Sequence, residues 1–234
     1  MEPPSYQPAG TSNAPSATDL LKPTTLYVAE RFIHTADPQA PPAYEFSHSV
    51  NFLSNTDRKV TVERLDYSVR TVNGGPALST RKRTIFDLTH RTPGEMPNFA
   101  FQAESKSRTT AGSMGIEQRR EGFRRRLGYR VCRAAWGADR RLADAGTTLY
   151  TASVPSGGGG GSGGDGAVSW EWSDEKEQLV AREVTNDMLA SLVITAEMSQ
   201  AQRDALVAAW IMRLWWDLAD GKYHRLVEGS QDRS

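Results

Sequence analysis

The densest chemistry in this 234-residue chain is carried by arginine. Arg119, Arg120, Arg124, Arg125 and Arg126 lie within eight positions, Arg130 and Arg133 follow, and Arg81, Lys82 and Arg83 form a second run. A guanidinium presents a planar fork of N–H donors that matches phosphate oxygens two at a time, and a cluster of about four to eight basic residues attracts anionic lipid head groups at about 1 kcal/mol each. Arg81, Lys82, Arg83, Arg124, Arg125, Arg126 and Arg130 are therefore the candidate contacts to an anion, whether a membrane phospholipid or an inositol phosphate. Ile116, Phe123 and Leu127 lend the same stretch a weak apolar side. The competing reading is a solvated loop of high charge.

A second chemistry is peptide recognition. Pro3-Pro4-Ser5-Tyr6 and Pro41-Pro42-Ala43-Tyr44 are Pro-Pro-x-Tyr segments of the kind that WW domains grip as a preformed polyproline turn. Pro3, Pro4 and Tyr6 are the available set, because Tyr44 opens an alternating apolar pattern that points its ring to a core.

Catalytic and metal chemistry find no comparable pattern. His34, His48, His90 and His224 have no spacing that seats two ligands on one element, so no metal and no cofactor is expected. His48 shares the apolar phase of its segment and is expected in the core. The single cysteine, Cys132, is expected near the surface, with no base or oxyanion site to activate it, and it excludes an internal disulfide. Five of the six tryptophans, Trp170, Trp172, Trp210, Trp215 and Trp216, fall in the last third of the chain and are read as core. No enzyme is expected.

Charge is balanced overall, 28 basic against 28 acidic side chains, so nucleic acid is not the expected partner. It is uneven locally: Arg81 to Arg141 holds 15 Lys/Arg against 6 Asp/Glu, and Asp165 to Ser234 holds 7 against 13. The N-terminus has no signal-peptide apolar core, and Arg213, Asp217 and Asp220 break up the one long apolar segment. The expectation is an intracellular, cytoplasmic protein without a transmembrane segment, with peripheral membrane or nuclear association left open.

The elements that must position these residues start with Ser199 to Gly221. Ser199 and Gln202 have the spacing of a capping box, Gly221 supplies a stop, and Ala205 to Met212 are eight consecutive apolar residues. A helix apolar on every side must be surrounded. Arg213, Asp217 and Asp220 share a narrow stripe, expected where the helix meets water. The surrounding material reads as strands. Tyr44 to Phe52 alternates with period two, Val60 and Val62 continue it, and Leu65, Tyr67 and Val69 take the other phase, which a bulge near Arg64 would reconcile. Asn73-Gly74-Gly75-Pro76 is a turn, and further candidates run Thr84 to Leu88, Phe99 to Ala103, Leu127 to Val131, Thr148 to Val154, Val168 to Trp172, Leu179 to Val184 and Leu189 to Thr195.

These elements predict a mainly β fold, a closed antiparallel β-barrel of about 10 to 12 strands around a hydrophobic C-terminal α-helix at 200–220. The 21 residues between the caps span roughly 31 Å, enough to thread a barrel. The alternative is a helix-grip fold, with the helix across an open curved sheet and a ligand cavity beneath it. Residues 1–23 are expected as a disordered Pro-rich tail, 24–221 as one barrel domain, 105–126 and 156–166 as flexible insertions and 222–234 as a C-terminal tail. The run SGGGGGSGGDG lacks the Lys-Ser or Lys-Thr of a phosphate-cradling loop and reads as a linker.

The hairpin WEWSDEKEQLVARE, the strand LASLVIT and the terminal helix together resemble the tubby C-terminal-like superfamily, which includes tubby-like, LURP-one-related and phospholipid-scramblase domains. The resemblance covers roughly residues 24–220 and implies a twelve-stranded barrel around a hydrophobic helix, a non-enzymatic role and binding of anionic phospholipid or an adaptor function. None of the superfamily's phosphoinositide-binding positions can be matched here, so no binding residue is carried over from it.

Overall fold

In the computed structural model the described residues are 20–36, 40–72, 75–92, 98–121, 126–155, 167–186 and 189–220. Twelve strands follow one another: β1 Thr24–Ala29, β2 Phe32–Thr35, β3 Tyr44–Phe46, β4 Lys59–Val72, β5 Gly75–His90, β6 Phe101–Ser105, β7 Met114–Glu121, β8 Arg126–Trp136, β9 Leu142–Ser153, β10 Ala167–Asp174, β11 Leu179–Asn186 and β12 Leu189–Ile194. The helix α1, Gln200–Ala219, comes last. Each strand pairs antiparallel with its neighbours in sequence, and β1 pairs with β12, so the sheet closes into a barrel. Closure removes every free sheet edge along that seam.

Helix α1 occupies the interior. Asp204 to Trp215 are buried without interruption, which covers every face of three turns. Its partners come from around the wall: Tyr44 on β3 and Arg64 on β4 reach Asp204, Tyr150 on β9 donates to the Gln202 carbonyl at 2.8 Å, and Tyr129 on β8 donates to Asp217 at 2.8 Å. This geometry rules out the helix-grip alternative, which needs an open sheet and a solvated helix face. The capping box is made as expected. Gln202 donates its backbone N–H to the Ser199 hydroxyl, and its side-chain oxygen accepts from the Ser199 backbone at 2.9 Å. Such a cap is worth about 1 kcal/mol.

Several local expectations are corrected. The alternation from Tyr44 stops after three residues, because Val50–Phe52 forms a 3-10 turn that leaves His48 exposed and Phe52 82% exposed. Residues 105–126 are not an insertion throughout, since Met114–Glu121 is barrel strand β7. Only Met114 and Ile116 join the core there, and the charged outward residues hid the strand. A bulge does fall near Arg64, but it puts its extra residue on β5: Val62 pairs with Phe86 and Glu63 with Thr84, so Ile85 is the surplus residue. The β4 alternation therefore continues unbroken. Leu65 and Tyr67 stand on the opposite phase from Arg64, where the Ala43 carbonyl accepts from the Leu65 N–H and the Pro42 carbonyl from the Tyr67 hydroxyl at 2.8 Å. Leu21 bridges Met198, which ties residues 20–23 to the barrel rather than leaving them in a tail. Of the expected turn, Gly75 and Pro76 belong to β5, opposite Val72 and Thr71, while Asn73-Gly74, like the expected tail at 1–19, linker at 156–166, stop at Gly221 and tail at 222–234, lies outside the described residues.

Arg213 is the largest departure. It is 1% exposed instead of meeting water, paired with the buried Glu183 of β11 and, at 2.7 Å, with Asp217 one turn on. Trp170 of β10 lays its ring 5.3 Å from the guanidinium carbon. A buried cation is tolerable only with such partners. No helix among the described residues is long and apolar enough to cross a membrane.

Candidate functional site

Strand direction gives the barrel two distinct ends. At the end where α1 starts lie Ser199, the far end of the β4–β5 hairpin and the turn between β8 and β9; at the end where it finishes lie the 3-10 turn, the β5–β6 connection and the junction of β7 with β8.

This divides the arginines singled out from sequence. Arg81, Lys82 and Arg83 fall on the half of β5 nearer the helix start, where Arg83 pairs with Arg64 in register. Arg126 opens β8 at the other end, three strands around the wall, and Arg124 and Arg125 lie outside the described residues. Arg81, Lys82 and Arg83 therefore lie toward the opposite end of the wall from the start of β8. Their charge is also locally offset. Lys82 pairs with Glu45 at 2.6 Å, Arg83 with Asp66 at 3.3 Å, and Arg130 bridges Glu117 at 3.3 Å and Asp144. Pro3, Pro4 and Tyr6 lie outside the described residues. In the second Pro-Pro-x-Tyr segment, Tyr44 is buried and donates to Asp204 at 2.9 Å, so its ring is not available to a partner.

Glu117, Cys132 and Asp144 bring ligand-type atoms within 4.8 Å of one another. The guanidinium of Arg130 lies between the two carboxylates and supplies the charge a cation would bring. Cys132 is fully buried, not surface-exposed as expected from its alternation with Val131. Phe99 from the β5–β6 connection, with Ala134 and Leu142, covers it in a small outer cluster. Burial pushes its thiol up to about 12, with Arg130 opposing, so it stays protonated and is a poor metal ligand or nucleophile.

A more concave site opens at the end where α1 finishes. A cleft of about 700 Å³ is walled by Asn55 and Arg58 from the loop after the 3-10 turn, His90 and Arg91 from the end of β5, and Phe101 and Trp216. The loop is pinned from inside, because Trp215 donates its indole N–H to the Ser54 carbonyl at 2.8 Å. Aromatic packing fixes the floor. The His90 ring stacks on Phe101 at 4.3 Å, and Phe101 lies 5.0 Å from the Trp216 ring. Burial and the nearby charge of Arg58 lower the His90 pKa, so the imidazole is neutral at pH 7 and the cleft's positive charge rests on arginine. Arg58 is exposed, and its one side-chain hydrogen bond among the described residues goes to the Asn55 carbonyl at 3.0 Å. Asp220 stands on the rim.

Arg58 and Arg91 were not singled out in the sequence, and His90 only as a histidine without metal spacing, because the loop of Arg58 and the end of β5 are brought together only by the folded wall. Arg58 and Arg91 were legible as arginines but not as neighbours. No protein-family model matches this chain, and comparison with curated proteins and with solved structures yields no match either.

Proposed function

We propose that this chain is a non-enzymatic barrel of the tubby-like type that docks on anionic phospholipid membranes through the end where α1 finishes, with a head-group phosphate entering the cleft beside Arg58. The observation that carries this reading is an arginine without a carboxylate partner among the described residues, set in a concave site floored by Trp216 and Phe101. An arginine fork suits phosphate oxygens, and the aromatic floor suits the glycerol and upper acyl region. Phe52 supports the orientation. It is 82% exposed on the 3-10 turn, three residues before Asn55, and inserting such a side chain into the interface contributes about 1.5 to 3 kcal/mol. Arg119, exposed on β7 toward the same end, would add about 1 kcal/mol near the surface. The twelve strands and the enclosed helix support the tubby-like part of the reading.

Flotation tests it. Wild-type protein should float with phosphatidylcholine vesicles containing phosphatidylserine at low salt, and not with phosphatidylcholine alone. Arg58→Glu and Phe52→Asp should each reduce the floated fraction severalfold. Equal flotation of wild type and Arg58→Glu would reject the cleft, and no flotation of wild type would reject the membrane role.

A further inference from the structure

We infer that a second cavity, on the outer wall of the barrel, binds a small phosphate monoester. It encloses about 330 Å³ between the β5–β6 connection and the turn joining β8 to β9, and Asn98, Gln102, Asp139, Arg140 and Arg141 line it. It shares Arg91 with the mouth cleft but no other lining residue, and it does not depend on the membrane reading.

Two residues carry the inference. Gln102 stands on β6 between the inward-facing Phe101 and Ala103, so its side chain points out of the barrel. It is only 5% exposed, and its amide has no hydrogen-bond partner among the described residues. The amide lines the cavity, where it can donate to and accept from a ligand beside the arginines. Arg140 is the second. The turn is closed by Gly137 donating to the Arg141 carbonyl at 2.8 Å and Arg140 donating to the Gly137 carbonyl at 3.1 Å. This holds Arg140 at φ +58°, a left-handed conformation that glycine adopts without strain. Its guanidinium is exposed on the cavity rim and forms no ion pair among the described residues. Asp139, the acidic wall residue, has Oδ1 engaged by the Arg141 N–H at 3.1 Å.

A guanidinium fork and an amide that both donates and accepts match a dianionic phosphate with a hydroxylated substituent. Asn98 donates its amide to the Leu142 carbonyl at 3.0 Å, which leaves its oxygen for a ligand hydroxyl. The same chemistry occurs in a free sugar or glycerol phosphate and in the head group of phosphatidic acid.

Titration calorimetry with glycerol 3-phosphate and with inorganic phosphate tests the site. Wild type should bind glycerol 3-phosphate more tightly than inorganic phosphate. Arg140→Gly removes the guanidinium while relieving the backbone, so it should keep the melting temperature and weaken binding by roughly tenfold or more, the effect of losing one charge-assisted contact. Gln102→Leu, close in volume, should reduce the preference for the ester. Arg70→Glu, exposed on β4 and outside both cavities, should bind as wild type does. If Arg70→Glu weakens binding as much as Arg140→Gly, or if Arg140→Gly binds like wild type, the cavity is not the site. Absence of wild-type binding up to about 1 mM overturns the inference as well. Competition by phosphatidic acid vesicles that survives in Arg58→Glu and is lost in Arg140→Gly identifies a lipid source; binding of the soluble ester without such competition identifies a free metabolite.

Discussion

Arg64 on β4 places a guanidinium nitrogen 2.6 Å from a carboxylate oxygen of Asp204, joining the barrel wall to the second turn of the helix it encloses. Asp204 is fully buried and also accepts from Tyr44 at 2.9 Å and Gln200 at 2.6 Å. Burial raises its pKa, with Arg64 the main opposing influence. Removing one partner leaves a buried charge without its counterpart, so Arg64→Ala and Asp204→Ala should each cost about 3 to 5 kcal/mol. The double variant should cost less than the sum, because neither charge is then left alone. Urea unfolding of the four proteins measures the coupling.

Glu183 provides the pH dependence. Complete burial pushes its carboxyl up to about 7 from 4.5, with Arg213 opposing the shift and Asp217 adding to it. A carboxyl whose native pKa lies above its unfolded value binds more protons when folded. Stability should therefore fall as pH rises from about 4.5 to about 7 and level off above that, a change on the order of 3 kcal/mol. Glu183→Gln should flatten this slope, leaving the contributions of Asp204, whose raised pKa acts in the same direction from the acid end, and of His90, whose lowered pKa acts in the opposite direction near its ordinary range. Unfolding free energies of the two proteins across this range give the comparison. If wild type and Glu183→Gln vary identically with pH, the assignment to Glu183 fails.

Gly115 on β7 is a packing requirement. A Cβ there would sit 2.2 Å from the Phe99 ring, far inside contact distance. Gly115→Ala should destabilise by about 1 to 3 kcal/mol as the ring is displaced. Added to Phe99→Ala, the same substitution should cost almost nothing, and thermal melts of the two backgrounds would show the difference.

Cys132 should be inert in the native protein. Buried beneath Phe99, with its thiol held up to about 12, it should label with maleimide only on unfolding. Fast labelling under native conditions, at a rate independent of denaturant, would mean the outer cluster is open.

The helix was the most legible element, since Ser199, Gln202 and eight apolar residues encode both its start and its enclosure in consecutive letters. Most strands were legible wherever inward and outward residues differ, as at Trp170 and Trp172. Strand β7 was not, because only Met114 and Ile116 face inward and the rest of its sequence is charge. The burial of Arg213 had no local signal either. Its partners Glu183 and Trp170 sit on strands 30 and 43 positions earlier, and only closure of the wall brings them against the helix. The two cavities share that property. Arg58 and Arg91 meet across the mouth, and Gln102 and Arg140 meet across the outer wall, with pairings that no spacing in the sequence expresses.

The seam between β1 and β12 has a consequence for synthesis. Thr24 pairs with Ile194, so the wall is completed only after the strands between them have been made, and the helix that fills it emerges later still. Eleven strands must wait with their apolar faces unfilled, and closing so long a loop is slow. An enclosed helix that follows its wall in sequence thus leaves the strands' apolar faces exposed until it is made, whereas a helix preceding the strands would be in place from the start.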